Sequence, residues 1–493
     1  MKIQAKQIFF FSFLLCFAVT TIVYAQTSQA GSANVVSIND TLALVNEQSI
    51  TLGDIDPEVQ KLSLALDGEI AKVRKQMLEE QISNYLFEAD AKLKRVDKQR
   101  YLYTQVFSKV GIPTQKQIQE VYELNREAFA NADMETAKKQ IVNYLQNEKA
   151  QTLLNELSAR LRKTHKVVMG VDVNKPKLEP NETLASVDGR VITAAFLEEK
   201  LKPIIYDLRL QVYEAQQEAL DQAIYNRLVL DEARKQNVGP EEIIRKEITE
   251  KFRYPTEDDI KKFYDDEKIK VPYADARTEI FRYLEKQEQD RLEKTLSDKL
   301  RATAKVKVFL AEPQAPVQNI SAANNPTRGD LNAAVTVVMF TDFQCPACSR
   351  THPVLNDILK KYGTKIRFVV RDFPLESLHP QARRAAEAAA AANAQGKFFE
   401  YIELLYQNQN ALDDVSLKKY ASQVGLNRVK FDSDFMSRKF AMDVQRDYED
   451  GIQYGIKSTP TIFVNGVRVR DLKPETIQNA IDRAFAQKGV SQK

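Results

Sequence analysis

The chain has no tryptophan, three histidines and three cysteines in 493 residues. That scarcity weighs against a structural zinc site, which needs about four ligands. One helical face could offer Cys345, Cys348 and His352, but no fourth ligand and no second cysteine pair accompany them. Neither sign of charge dominates: Lys+Arg number 71 and Asp+Glu 68, interspersed, for a formal charge of +3. No strongly basic face results, so nucleic acid is not an expected partner. After the first 25 residues no run is apolar enough to span a bilayer. Apolar residues are in ordinary supply at 43%, enough for a core. A chain of this length divides into about two to four domains.

The first residues have a different character. Lys2 and Lys6 precede a nearly unbroken apolar run over 8–23, and "VYA" before Gln26 forms a small-residue cleavage site after Ala25. Residues 1–25 therefore read as an export signal. Leu15 before Cys16 is not the small residue that a lipoprotein site would require. Cleavage would leave Cys345 and Cys348 as the remaining cysteines, in an oxidising space outside the cytoplasm.

An internal repeat follows. "TLALVNEQSIT" begins at Thr41 and "TLASVDGRVIT" at Thr183, an offset of 142. Leu78, Ile82, Leu86, Ala91 and Val96 recur at the same offset as Leu220, Ile224, Leu228, Ala233 and Val238. "IPTQKQIQEVY" and "YPTEDDIKKFY" match next, and after a three-residue gap Tyr144 matches Tyr283. The two copies cover 41–169 and 183–310. Each predicts a short strand, a turn, helices with apolar residues four apart on one face, and a long charged helix with a β-prone tail. Pro113 and Pro255 are placed in the first turn of a new helix. His165 is expected to be an exposed residue near a helix end. The proline-bearing segments "VDVNKPKLEPNE" and "AEPQAPVQN" read as extended spacers. The copies resemble the chaperone part of SurA-like and PpiC-like foldases, on "VNEQSIT", "VDGRVIT" and the "PT…I…Y" helix start. That family often carries a prolyl-isomerase domain between its helical parts. Only some fifteen residues separate Val96 from Pro113, so no isomerase domain fits. The resemblance implies arms that hold unfolded chains; a bare scaffold is the alternative.

The last third holds "FTDFQCPACSRTHP" at 340–353. "AAVTVVMF" (333–340) predicts a buried strand, "SRTHPVLNDILKKYG" a helix, and "IRFVVRDF" (366–373) a second strand. Cys345 then sits where a strand hands over to a helix N-terminus, whose free N–H groups and dipole favour a thiolate. Pro346 suits the first turn, where its missing N–H costs nothing. Cys348, one turn on, is within reach, which suits reversible disulfide exchange with Cys345 attacking and Cys348 resolving. A staple closing so small a loop would restrain the unfolded chain little. Further on, Pro460 precedes a strand over 461–464, Asn465-Gly466 makes a hairpin turn, and a final helix covers 474–485. The alanine-rich "HPQARRAAEAAAAANAQGKFFEYIELLYQ" between them predicts a helical insertion.

"FTDFQCPAC", "DFPLESLHPQA", "GKFFEY" and "GIKSTPTIFVNG", in that order, resemble a DsbA-type member of the thioredoxin superfamily over 317–490. The expected fold class is thus multidomain: two mainly α-helical SurA-like repeats, then an α/β thioredoxin fold with a helical insertion. The resemblance implies Cys345 as nucleophile, Cys348 as resolving thiol and Pro460 as a cis-proline facing them, leaving the backbone of Thr459 to pair with substrate. Two departures stand out. Ala347 occupies the place of a thiolate-stabilising histidine, which implies a higher Cys345 pKa and a weaker oxidant. Met339 occupies the place of a buried acid that relays a proton; Asp342 is the nearest acid, and His352 and His379 could also handle protons.

The reading is a periplasmic thiol–disulfide oxidoreductase, oxidase or isomerase, with chaperone-like arms. No cofactor and no metal are expected. Its partners would be unfolded or cysteine-containing exported proteins and a membrane redox partner, since no further cysteines form an internal relay. A homodimer through the arms would give an isomerase a second binding surface. A dedicated reductase of one partner, and a holdase with a structural thioredoxin domain, are the rival readings.

Overall fold

The computed structural model describes residues 37–489 apart from 127, 128, 130–133, 270, 323 and 377. The expected signal peptide over 1–25 lies outside the described residues. Two compact units divide the chain: Val73–Ile204 with Ala315–Lys493, and Ala30–Lys72 with Ile205–Gln314.

The duplicated part contains six strands in chain order: β1 (Thr41–Val45), β2 (Gln48–Thr51), β3 (Val167–Met169), β4 (Thr183–Val187), β5 (Arg190–Thr193) and β6 (Val306–Val308). β1–β2 and β4–β5 are antiparallel hairpins with the same register slip, between Thr41 and Ala43 in one and Thr183 and Ala185 in the other. Both turns take left-handed backbone at two successive residues, Asn46 and Glu47 in one, Asp188 and Gly189 in the other. That is the two-residue turn whose twist matches paired strands.

Each hairpin needs a third strand and an apolar helix face, because two strands alone are marginal in water. The tails supply the strands crosswise. β3, the tail of the first copy, pairs with β4 of the second, and β6, the tail of the second, pairs with β1 of the first. The cores follow the same exchange. Leu42, Val45, Ile50 and Leu52 of the first copy pack with Leu220, Ile224, Leu228 and Leu296 of the second. Sequence copies and compact units therefore divide the chain differently.

The helix after Pro113 runs Gln115–Leu124, and the one after Pro255 runs Glu257–Asp266. Both prolines stand before the cap rather than in the first turn. Thr114 and Thr256 are the N-caps, each accepting from the backbone N–H three residues on (Gln117, Asp259) in a reciprocal capping box. His165 is buried instead of exposed, its Nδ1 2.6 Å from Asp188 Oδ2. It ties the end of the first copy to the turn of the second copy's hairpin.

The C-terminal region forms a five-stranded sheet of order β11-β10-β8-β9-β7, from β7 (Thr327–Arg328), β8 (Val335–Thr341), β9 (Ile366–Asp372), β10 (Thr461–Val464) and β11 (Val467–Arg468). β8 and β9 are parallel; the other pairings are antiparallel. The helix Pro346–Lys360 makes the β8–β9 crossover. Five helices, from Ala382–Asn393 to Ala441–Gln453, form the insertion before β10. β8 is buried on both sides, so it reads as a continuous apolar run. Val335, Val337 and Met339 join one core with Cys348, Leu355 and Tyr406; Val338 and Phe340 join the other with Phe373 and Phe463. At the β10–β11 turn Gly466 has φ +80° and a Cβ there would stand 2.1 Å from the Gln318 carbonyl oxygen. Glycine is required there on both counts.

Candidate active site

Strand alternation and one helix start build the site. β8 ends at Thr341, the chain turns through 342–344, and Cys345 becomes the N-cap of the helix Pro346–Lys360, with Pro346 in its first turn. Asp342 organises the turn: its Oδ1 accepts the Gln344 N–H at 2.7 Å, and its carbonyl accepts the Cys345 N–H at 3.1 Å. Its Oδ2 accepts the Leu375 N–H at 2.9 Å and lies 2.8 Å from His379 Nδ1. Asp342 and His379, both considered for proton handling, thus hold each other and the loop after β9.

Two glutamines that no sequence signal singled out complete the frame. Gln409 Nε2 donates to the carbonyls of Phe343 and Cys345, at 3.0 and 2.8 Å. Gln344 Oε1 accepts from the Gln381 backbone N–H, and Gln381 Oε1 in turn accepts from the Leu412 N–H. Their donors and acceptors come from the helical insertion, so the insertion fixes the cysteine loop.

Cys345 and Cys348 are both reduced. Cys345 is 7% exposed and Cys348 fully buried. The Cys345 thiol is pulled down to about 5, first by a hydrogen bond from the Cys348 thiol, with help from the backbone N–H groups of Cys348 and Ala347; burial opposes this. Burial pushes the Cys348 thiol well above its ordinary value, and the neighbouring Cys345 adds to that. Ala347 therefore contributes through its backbone.

Thr459 stands opposite. The Thr459–Pro460 peptide is cis, and the Thr459 carbonyl oxygen is 3.4 Å from Cys345 Sγ. Pro460 and Thr459 are buried beside the start of β10. Cys345, Cys348, Thr459 and Pro460 thus come together as the motif order suggested. His352, one turn beyond Cys348, turns away: its Nε2 lies 2.8 Å from Glu403 Oε1 and 3.0 Å from Asn356 Nδ2. Burial lowers its pKa, favouring the neutral ring.

Beneath Cys348 lies a pair of buried hydroxyls. Thr341 Oγ1 and Tyr406 Oη are 2.6 Å apart, and the Thr341 hydroxyl and the Asp342 N–H both reach the Cys348 sulfur. Neither hydroxyl stood out in the sequence, because a Thr at a strand end and a Tyr on an amphipathic helix are ordinary core residues.

Among the described residues no helix is long and apolar enough to cross a membrane. A family model described as Thioredoxin matches residues 321–483. Among curated proteins, a Na+/H+ antiporter NhaA 3 of Salinispora tropica is 38% identical over 160 residues, which is 32% of this chain and 24% of that protein. A Na+/H+ antiporter NhaA 1 of Mycolicibacterium vanbaalenii is 38% identical over 143 residues, 29% of this chain and 23% of its own. The chain thus spans about a quarter of the length of these relatives. Among solved structures, a thioredoxin-like oxidoreductase of Silicibacter pomeroyi is 26% identical with a TM-score of 0.31, covering 33% of this chain and 94% of that one. Oxidised BdbD of Bacillus subtilis is 22% identical with a TM-score of 0.32, covering 35% and 98%. The C-terminal region of the chain is a thioredoxin-like domain.

Proposed function

We propose that the chain is a thiol–disulfide oxidoreductase of exported, cysteine-containing proteins, with Cys345 and Cys348 as its redox pair. One observation carries the reading: the two sulfurs are driven apart in pKa by their surroundings, one toward thiolate at a helix N-terminus and the other toward thiol in the core. An attacking and a resolving sulfur need that asymmetry. In the oxidising direction a client thiolate attacks Cys345 of the disulfide and Cys348 leaves. A second client thiolate then displaces Cys345, so two electrons pass from client to protein. The Thr459 carbonyl beside Cys345 offers a backbone acceptor to an extended client strand.

The Cys345 thiol is drawn well below its ordinary value, first by the Cys348 thiol and then by the N–H groups at the helix start. Stabilising the thiolate stabilises the reduced form, which favours an oxidase or isomerase over a reductant. The duplicated helical part would hold unfolded clients near the site and raise their effective concentration. The setting we propose is the periplasm, with electrons passing to a membrane redox partner and a homodimer formed through the helical arms.

The test is the redox equilibrium of the pair against glutathione, read by thiol alkylation and mass. We expect a potential between about −120 and −210 mV, the range from DsbA to the isomerases and glutaredoxins. A value near about −270 mV would make the protein a reductant. Cys345→Ser should abolish exchange. If clients are protected equally well and no exchange is seen even in the unmodified protein, the thioredoxin-like domain is structural and the chain is a holdase.

A further inference from the structure

Resolution of a mixed disulfide on Cys345 requires Cys348 to lose its proton, and Cys348 is fully buried. The acceptor must therefore be internal. Met339, on the same sheet face as Thr341, carries no acid, and both oxygens of Asp342 are taken by Gln344, Leu375 and His379.

Asp372 is placed differently. It ends β9, directly beside Thr341 in the parallel β8–β9 register. Ile366, Phe368 and Val370 of β9 belong to the core that holds Cys348 and Tyr406. Alternation puts Asp372 on that same face. The residue as a whole is half-buried, but its Oδ1 is sealed from solvent and has no hydrogen-bond partner. A buried carboxylate oxygen without a donor is costly and calls for an explanation. Across the strand pair from it stands Thr341, whose hydroxyl is 2.6 Å from that of Tyr406 and reaches the Cys348 sulfur.

We propose that Asp372 is the proton acceptor and donor for Cys348, acting through the hydroxyls of Thr341 and Tyr406. It rests on the oxidoreductase reading and names a positioning residue for that chemistry. In the resolving step the Cys348 S–H proton passes by way of the hydroxyls to the Asp372 carboxylate. Cys348 sulfur then bonds to Cys345 sulfur, the Cys345–client S–S bond breaks, and the client leaves as a thiolate with the electron pair. In the reverse direction protonated Asp372 returns the proton as Cys348 leaves. Burial raises the Asp372 pKa well above the ordinary carboxylate range, with Asp447 and Asp342 adding to it and Arg371 and Arg383 opposing. Asp447 Oδ2 also accepts the Asp372 N–H at 3.1 Å. Tyr406 stays protonated, as its buried position requires, and so can relay but not store the proton.

The test uses the full chain with Cys16→Ser, loaded at Cys345 with a mixed disulfide to thionitrobenzoate, whose release reports attack by Cys348. Asp372→Asn should slow release by about a hundredfold, the lower range for positioned proton transfer. It should also remove the pH inflection that Asp372 gives the unmodified protein. Tyr406→Phe should slow release less, and Asp372→Glu should restore part of the rate. The titration of the Cys345 thiolate, followed by ultraviolet absorbance, should be preserved in all three and serves as the folding control. Unchanged release rate and pH profile in Asp372→Asn would overturn the proposal. If Asp372→Asn does not fold, an unchanged profile in both Tyr406→Phe and Thr341→Val would overturn it instead. Failure of the unmodified protein to release thionitrobenzoate would overturn the oxidoreductase reading itself, a distinct result.

Discussion

The thioredoxin-like domain and the duplicated helical part are both rich in charge but spend it in opposite places. In the helices, ion pairs lie on the outside: Arg277 with Glu257 and Arg245 with Glu242 all keep about a third or more of their side chains exposed. In the thioredoxin-like domain Arg371 is 2% exposed and bonds to Asp447, itself 7% exposed. Asp342, Asp372 and Glu387 are likewise drawn into the structure. The difference teaches that charge here is chemical only where it is buried. Exposed pairs are screened and contribute little, whereas buried ones set the local potential and are costly to break.

The sharpest way to break this contrast is Asp447→Ala. It takes away the more buried of the two carboxylates on the Arg371 guanidinium, leaving Asp450, and should destabilise the thioredoxin-like domain by about 3–5 kcal/mol in chemical denaturation. Arg277→Ala, at a comparable ion pair in the helical part, should leave the unfolding midpoint unchanged. Equal effects from the two would erase the distinction.

Next in size is Ile224→Ala. Removing this fully buried side chain should cost about 2–5 kcal/mol. The exchange of strands and cores dictates where the damage appears. Amides of 41–51 should lose hydrogen-exchange protection, although Ile224 belongs to the other sequence copy, while those of 183–193 keep theirs. The reverse pattern would contradict the exchange.

The smallest effect concerns the two hairpin turns. Asp188 Oδ1 accepts the Lys166 N–H at 2.8 Å, and Asn46 Oδ1 accepts the Lys305 N–H at 3.1 Å in the equivalent place. The clamp is the same, but one carries charge. The His165 side chain and the Lys166 N–H hold the Asp188 carboxyl below its usual range. Its contribution is present above the unfolded value of about 4 and is lost as pH falls through the lower folded value. Acidification below about pH 4 should therefore loosen β3–β4–β5 more than β2–β1–β6, by less than about 1 kcal/mol. Asp188→Asn should remove the difference, as read by hydrogen exchange at the two hairpins.

Much of the thioredoxin-like region was legible in advance because its signals are local. Apolar runs marked β8 and β9, Asn465-Gly466 marked the last hairpin, and two cysteines one turn apart marked the site. The repeat was equally visible, since its matches hold a constant offset. Partner choice was not. Nothing in "KVVM" or "KVKVFL" says which of two nearly identical hairpins each will join, because either pairing satisfies the same backbone groups. The roles of Gln409, Thr341 and Tyr406 were hidden for a related reason: each acts through a neighbour distant in sequence. The part Ala347 plays through its backbone was hidden, because a backbone N–H is the same in every residue. Asp342 is the acid nearest Cys345 in sequence, and its bonds to Gln344, Leu375 and His379 could not be read from that closeness.

The pairing of β1 with β6 has a consequence in time. A chain that emerges from its first residue onward exposes β1 long before its partner exists, since 263 residues separate Val45 from Val308 (308 − 45). At about 5–20 residues per second that is a wait of roughly 13–53 s. β4, by contrast, follows directly on β3 and can pair as soon as it appears. For that interval the first hairpin is an unpaired edge with an uncovered apolar face, the kind of surface that invites the wrong partner.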